Sequence, residues 1–227
     1  MSDNYSVELI APDISSYRDG NTGIDYVTTF DSGKAGPHVM ISAVTHGNEL
    51  CGAITLDYLF QQNVRPISGK LSFAFNNYRA FLDFDPKYPL ISRFVDQDFN
   101  RLWSPDILDS EQTSSELERA RELRPFIETV DYLLDIHSMQ TSVAPLMLAG
   151  PLEKGRKFAG QLGYPVHVVS DEGHAAGRRL RDYGAFRDPR SDKNALLVEC
   201  GQHWEAASVD VSLRTAVCFL LTCGCID

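Results

Sequence analysis

Apolar positions along this chain gather into short runs that alternate with amphipathic stretches. The segment PHVMISAVT, Pro37 to Thr45, is apolar and rich in β-branched residues, with Gly36-Pro37 at its start and Gly47-Asn48 after it. Such a run predicts a buried parallel strand. In Glu49 to Gln62, Leu50, Ile54 and Tyr58 recur every four residues, Cys51 and Leu59 widen that face, and Asp57, Gln61 and Gln62 are left for water. This predicts a helix directly after the strand.

The alternation continues. Lys70 to Phe75 and Asp131 to Ile136 read as strands around a helix over Ser115 to Arg124, which opens on the capping-box pattern Ser115-x-x-Glu118 and is broken or kinked by Pro125. Pro145 to Ala149, Val166 to Ser170 and Asn194 to Val198 follow as strands, and Trp204 to Thr222 sets Val209, Leu213, Ala216, Val217 and Leu220 at helical spacing. These elements predict an α/β fold, a central mixed and mostly parallel sheet with helices on both faces. The stretch Asn76 to Ser114 is polar, Pro-bearing and weakly periodic; it is too long for a connector and reads as a functional loop.

Bulk composition narrows the classes. A chain of 227 residues, 43% hydrophobic, suits one domain spanning 1–227. Thirty-one acidic against 21 basic residues leave a formal charge of -10, and the basic ones are scattered, which argues against a nucleic-acid or anionic-membrane partner. The N-terminus lacks a basic segment followed by an apolar one, and no apolar run approaches roughly 18 to 20 residues; a soluble, unexported, cytoplasmic protein is expected. Five cysteines, odd in number and without a repeated CxxC spacing, fit a reducing compartment. Cys223 and Cys225 read as part of a frayed tail, with metal chelation the alternative. The oligomeric state stays open, a homo-oligomer included.

Candidate chemistry collects where strands end. His46 follows the first apolar strand and Glu49 comes three residues later, in the first turn of the next helix, with Gly47 allowing a sharp turn between them. An imidazole and a carboxylate so spaced can converge on one cation, and a catalytic zinc takes three protein ligands, His₂Glu among the known sets. The third is predicted to be His137, which ends the apolar strand YLLDIHS, because open α/β sheets gather ligands outside the carboxyl ends of their strands. HxxE alone recurs by chance, and each histidine alone fits a core position; their shared placement points to one Zn²⁺ per chain. Asp135 stands as an orienting partner for a ligand imidazole, or as a loop cap.

In RFVDQDFNRLW, Arg93 to Trp103, alternate residues Asp96, Asp98 and Asn100 of an extended segment would project into one cleft. Arginines there suit a substrate carboxylate or a developing oxyanion; ion pairs with Asp96 and Asp98 are the plain alternative. Glu199 ends the strand-like ALLVECG, where apolar flanks would raise its pKa as a proton-transfer group requires. Arg178, Arg179 and Arg181, in GHAAGRRLRDYGAF with Tyr183, are expected on a surface helix with solvated side chains, with substrate contact as the other reading. Cys200 and His203 in ECGQH offer a rival thiol chemistry.

Together HGNE at His46 to Glu49, RxxDxDxNR from Arg93 to Arg101, DIH at Asp135 to His137 and VECG around Glu199 resemble the succinylglutamate desuccinylase and aspartoacylase family of the zinc carboxypeptidase superfamily. The resemblance runs from about residue 38 to 201. It implies a zinc carboxypeptidase-like fold, zinc on His46, Glu49 and His137, a scissile carbonyl polarised by Arg93, a substrate carboxylate clamped by Asn100 and Arg101, and Glu199 as general base and acid. The implied activity is hydrolysis of the amide bond of a small N-acyl amino acid. Family members generally carry a further β-rich C-terminal region over the active-site mouth, which this sequence is expected to lack. The alternatives are a metal-binding remnant without turnover and a zinc carboxypeptidase acting on peptides.

Overall fold

A computed structural model describes residues 5–227. Seven strands form one mixed sheet: β1 (Val27–Asp31), β2 (His38–Ala43), β3 (Lys70–Phe75), β4 (Tyr132–Met139), β5 (Leu146–Leu148), β6 (His167–Val169) and β7 (Asn194–Gln202). Their spatial order is β1-β3-β2-β4-β7-β5-β6. The centre, β3, β2, β4 and β7, is parallel; β1 runs antiparallel to β3 at one edge, and β5 lies antiparallel to β7 with β6 parallel beside it.

The helices are α1 (Leu50–Gln61), α2 (Tyr78–Leu82), α3 (Pro105–Leu108), α4 (Ser115–Ile127), α5 (Glu153–Leu162) and α6 (Ala207–Thr222). On one face of the sheet, α1, α5 and α6 pack on Ile41, Ala43, Leu134, Ile136, Leu196 and Val198. On the other, α4, the Phe99–Trp103 segment and the Leu180–Phe186 segment cover Met40, Leu133 and Ala195. Side chains on a strand alternate between faces, and both sets are apolar, so the central strands are buried on both sides. The sandwich expected from the sequence is present.

Several local expectations need correction. The cap of α4 is Ser114, whose hydroxyl accepts from Leu117 N–H at 3.0 Å, so the Ser115 to Glu118 capping box does not form. Pro125 lies inside α4 without ending it, although it has no N–H to donate to the carbonyl one turn earlier. The Val27–Asp31 edge strand and α5 were not predicted; α5 carries Gly155 and Gly160, yet buries Phe158, Ala159 and Leu162 at helical spacing. The end of the chain is not frayed: Cys225 is fully buried, its N–H bonds Leu220 O, and its carbonyl accepts from Ile67 N–H at 2.8 Å. The stretch from Asn76 to Ser114 holds α2, α3 and two 3-10 turns. No helix among the described residues is long and apolar enough to cross a membrane.

Candidate metal centre

Three neighbouring parallel strands deliver the site. Ser42 on β2 lies in register with Asp135 on β4, and His137 on β4 lies opposite Glu199 on β7. Ile136 and Val198 point into the α1, α5 and α6 core, so by alternation Asp135, His137 and Glu199 share the other face. His46 arrives from beyond β2 by a tightly held turn. Val44 there has φ of 53°, a left-handed conformation costly for a β-branched residue. Its carbonyl accepts from Asn77 N–H at 3.1 Å, and the next side chain, Thr45, donates to Asp135 at 3.0 Å. Gly47 is needed for close approach: a Cβ there would stand 2.4 Å from Ser92 O and 2.3 Å from Ala80 C. Its N–H donates to Arg93 O at 3.0 Å, which ties the motif to the arginine loop.

His46, Glu49 and His137 are buried together, with one donor atom from each lying within 4.8 Å of the others. Glu49 is the residue immediately before α1 rather than in its first turn. Its Oε1 is 2.7 Å from His46 Nδ1 and its Oε2 is 3.0 Å from His137 Nδ1. The far nitrogens are held by other carboxylates, His46 Nε2 by Asp98 at 2.9 Å and His137 Nε2 by Asp135 at 2.8 Å. Asp135 also accepts from Ser42 Oγ at 2.7 Å. It is therefore the orienting group, and no loop cap.

Electrostatics favour a cation between these donors. Burial opposes charge on Glu49, yet the His46 and His137 imidazoles outweigh it and hold the carboxyl well below its usual range. Burial likewise disfavours a charged His137, but Asp135 and Glu49 outweigh it and lift the imidazole well above its ordinary value. Donors that draw a proton onto a fully buried imidazole favour positive charge. A tautomer carrying Nε2–H on the carboxylate would leave each Nδ1 lone pair toward Glu49, as ligation by histidine requires. The donor set, two imidazole nitrogens and a carboxylate, fits zinc.

A cavity of about 420 Å³ opens onto this group, bordered also by Arg93, Asn100, Arg101, Arg179, Glu199 and His203. An Arg93 amino group lies 3.0 Å from His46 Nε2 and 3.4 Å from Asp98. The segment from Asp96 to Asn100 is not extended, contrary to the sequence expectation. Asp96 turns away to accept from Ser115 N–H, while Asp98 accepts from Asn100 N–H at the start of a 3-10 turn and reaches His46. Asn100 Oδ1 accepts from Leu180 N–H at 3.0 Å. Arg101 stands 3.7 Å from Asp98, and burial lowers its pKa. Glu199 fulfils the expected upward shift, to about 8, caused first by burial; its Oε2 is shut from solvent without a partner.

Other sequence readings are redistributed. No surface helix forms around Arg178: its carbonyl accepts from Trp103 N–H at 3.2 Å, Arg181 is buried against Asp182 at 2.7 Å, and Arg179 pairs with Asp171 at 2.5 Å beside the cavity. Gly177 (φ +145°) lets this loop touch Arg101, whose carbonyl a Cβ would meet at 2.3 Å. Cys200 and His203 do not pair. Cys200 faces the α1 and α6 core, where burial pushes its thiol up, and His203 meets Ser138 instead. Glu116, which no sequence motif singles out, is fully buried and accepts from the N–H groups of Val95, Asp96 and Gln97. Nothing in a local pattern marks it, since its partners lie about twenty residues upstream.

Fold and site together define an α/β protein with a His-Glu-His centre at the carboxyl edge of a parallel sheet. The chain belongs to the succinylglutamate desuccinylase/aspartoacylase family, whose catalytic-domain model matches residues 35–216; this is a family of deacylases acting on amides, with a zinc carboxypeptidase-like fold. Similar solved structures include the ectoine utilization protein EutE (DoeB) from Ruegeria pomeroyi, with 17% identity and a TM-score of 0.65 over 88% of this chain and 61% of that one. A succinylglutamate desuccinylase from Silicibacter sp. TM1040 gives 19% identity and a TM-score of 0.66 over 88% and 61%. Murine aminoacylase 3 gives 21% and 0.59 over 83% and 66%. The chain thus spans about three fifths of the length of the first two. No curated protein matches it in sequence.

Proposed function

We propose that this chain is a zinc-dependent deacylase that hydrolyses the amide bond of a small N-acyl amino acid. The observation that carries the reading is the convergence of His46 Nδ1 and His137 Nδ1 on the two oxygens of Glu49, beside a cavity that also holds Glu199 and three arginines. His46, Glu49 and His137 would hold the zinc, which supplies Lewis-acid polarisation of water and of a carbonyl oxygen when bound.

The chain's own groups account for the rest. Glu199, its pKa raised to about 8 by burial, takes a proton from the attacking water and returns it to the leaving amine. Arg93 offers N–H donors to the carbonyl oxygen as charge develops on it. Arg101 pairs with the substrate carboxylate, and Asn100 assists through the amide nitrogen left free when its Oδ1 accepts from Leu180. The small cavity fits a small substrate.

Elemental analysis of the purified chain, with a hydrolysis screen of N-acyl amino acids before and after chelation, tests this. One zinc per chain and chelator-sensitive turnover are expected. Glu199→Gln should retain zinc and lose turnover by about 10²- to 10⁴-fold. If His137→Ala bound zinc as tightly as the parent, the ligand assignment would be wrong.

A further inference from the structure

Two polar atoms shut from solvent lack any partner at the rim of the cavity: Glu199 Oε2, which the deacylase reading employs, and His203 Nε2, which it does not. His203 follows β7 and is fully buried. Its N–H donates to Met139 O at 2.9 Å, its Nδ1 meets Ser138 Oγ at 2.8 Å, and its ring lies 5.6 Å from that of Trp204. Trp204 is itself tied down, since its indole N–H donates to Asn48 O at 3.2 Å. The imidazole is thus fixed on several sides with one nitrogen left over. Leaving such an atom unpaired costs about 1–3 kcal/mol, which a bound molecule would relieve.

Its position gives that molecule a polarity. Trp204 packs in the α1 and α6 core, whereas Arg101 and Arg179 come from segments whose neighbours Phe99, Leu102 and Leu180 pack on the opposite face of the sheet. His203 therefore enters the cavity from the side across from these arginines. Ser138, Gln140 and Thr141, which follow His137 in the same wall, are polar and uncharged. Burial keeps the imidazole neutral, so Nε2 acts as an uncharged donor or acceptor.

We infer that His203 is a specificity-determining residue: the part of the substrate remote from its carboxylate carries an uncharged hydrogen-bonding group, a hydroxyl or an amide, and His203 Nε2 binds it. This rests on the deacylase reading and narrows it, from N-acyl amino acids in general to those with a polar acyl group. An apolar acyl chain would leave Nε2 unpaired, and sites built to hydrogen-bond a substrate group discriminate against analogues that lack it.

The test compares N-acetyl, N-hydroxyacetyl and N-carbamoylacetyl derivatives of the same amino acids on the zinc-loaded full chain. One polar derivative is expected to exceed its acetyl counterpart about tenfold in kcat/KM, the worth of a single buried hydrogen bond. His203→Leu should collapse that ratio toward one, and His203→Gln, which can still hydrogen-bond, should keep part of it. Calorimetric binding to Glu199→Gln reads the same preference without turnover, and circular dichroism checks the fold of each variant. Equal rates for polar and acetyl derivatives in the parent, or a ratio that survives both substitutions, overturns the inference and leaves the deacylase reading standing. Absence of both turnover and binding for every derivative overturns the two together.

Discussion

Replacing Glu116 by glutamine probes how the arginine loop is held at the candidate metal centre. The buried carboxylate accepts four hydrogen bonds: Val95 N–H at 2.6 Å and Asn77 Nδ2 at 3.1 Å on Oε1, Asp96 N–H at 3.0 Å and Gln97 N–H at 3.1 Å on Oε2. Val95, Asp96 and Gln97 lie between Arg93 and Asp98, the two groups of this loop that reach His46. However a glutamine amide is turned, its NH₂ faces one pair of donors, so two charge-assisted bonds of about 1.5–3 kcal/mol each are lost. Val95 and Asp96 are exposed, so water recovers part of this, and a net loss of about 2–3 kcal/mol is expected. Urea unfolding at pH 7 reads it, with the slope of free energy on urea unchanged. Zinc competition on the same variant should show weaker binding, because Asp98 braces His46 Nε2. A loss below about 0.5 kcal/mol, the range of ordinary surface substitutions, together with parental zinc affinity, would refute the reasoning.

Two further outcomes follow from the same geometry. Asp135→Asn turns an amide toward His137 Nε2 in place of an acceptor and should weaken zinc binding by about 10- to 100-fold, measured by chelator competition; unchanged affinity would show that Asp135 does not set the imidazole. His203, held neutral with its pKa depressed by burial to about 4 from 6.5, links stability to pH in the metal-free chain. Between pH 6.5 and 4 the unfolded chain binds the proton that the folded one refuses, so stability falls as pH falls and the contribution is complete only above 6.5. At about 1.4 kcal/mol per unit the effect is on the order of 3 kcal/mol, and denaturant titrations of the parent minus His203→Gln should show that slope in this window and no other.

The sequence by itself determined the layers and the meeting place of the candidate metal donors. Runs such as PHVMISAVT are apolar on both faces, which only a covered parallel strand satisfies, and the carboxyl ends of such strands lie side by side. His46, Glu49, His137 and Glu199 therefore met where the strand pattern placed them, because a period of two residues and a tight turn are local properties. Tertiary structure alone decided what depends on contacts between distant segments. Asp96 and Asp98 are two residues apart yet face different partners, since a 3-10 turn and the Ser115 N–H compete for them. Glu116 became an anchor, Arg179 a cavity wall and Arg181 a buried ion pair through segments packed against them from elsewhere in the chain. Cys200 and His203, three residues apart, were separated by the sheet itself, because a strand sends odd and even positions to opposite faces and its end releases the chain from that rule.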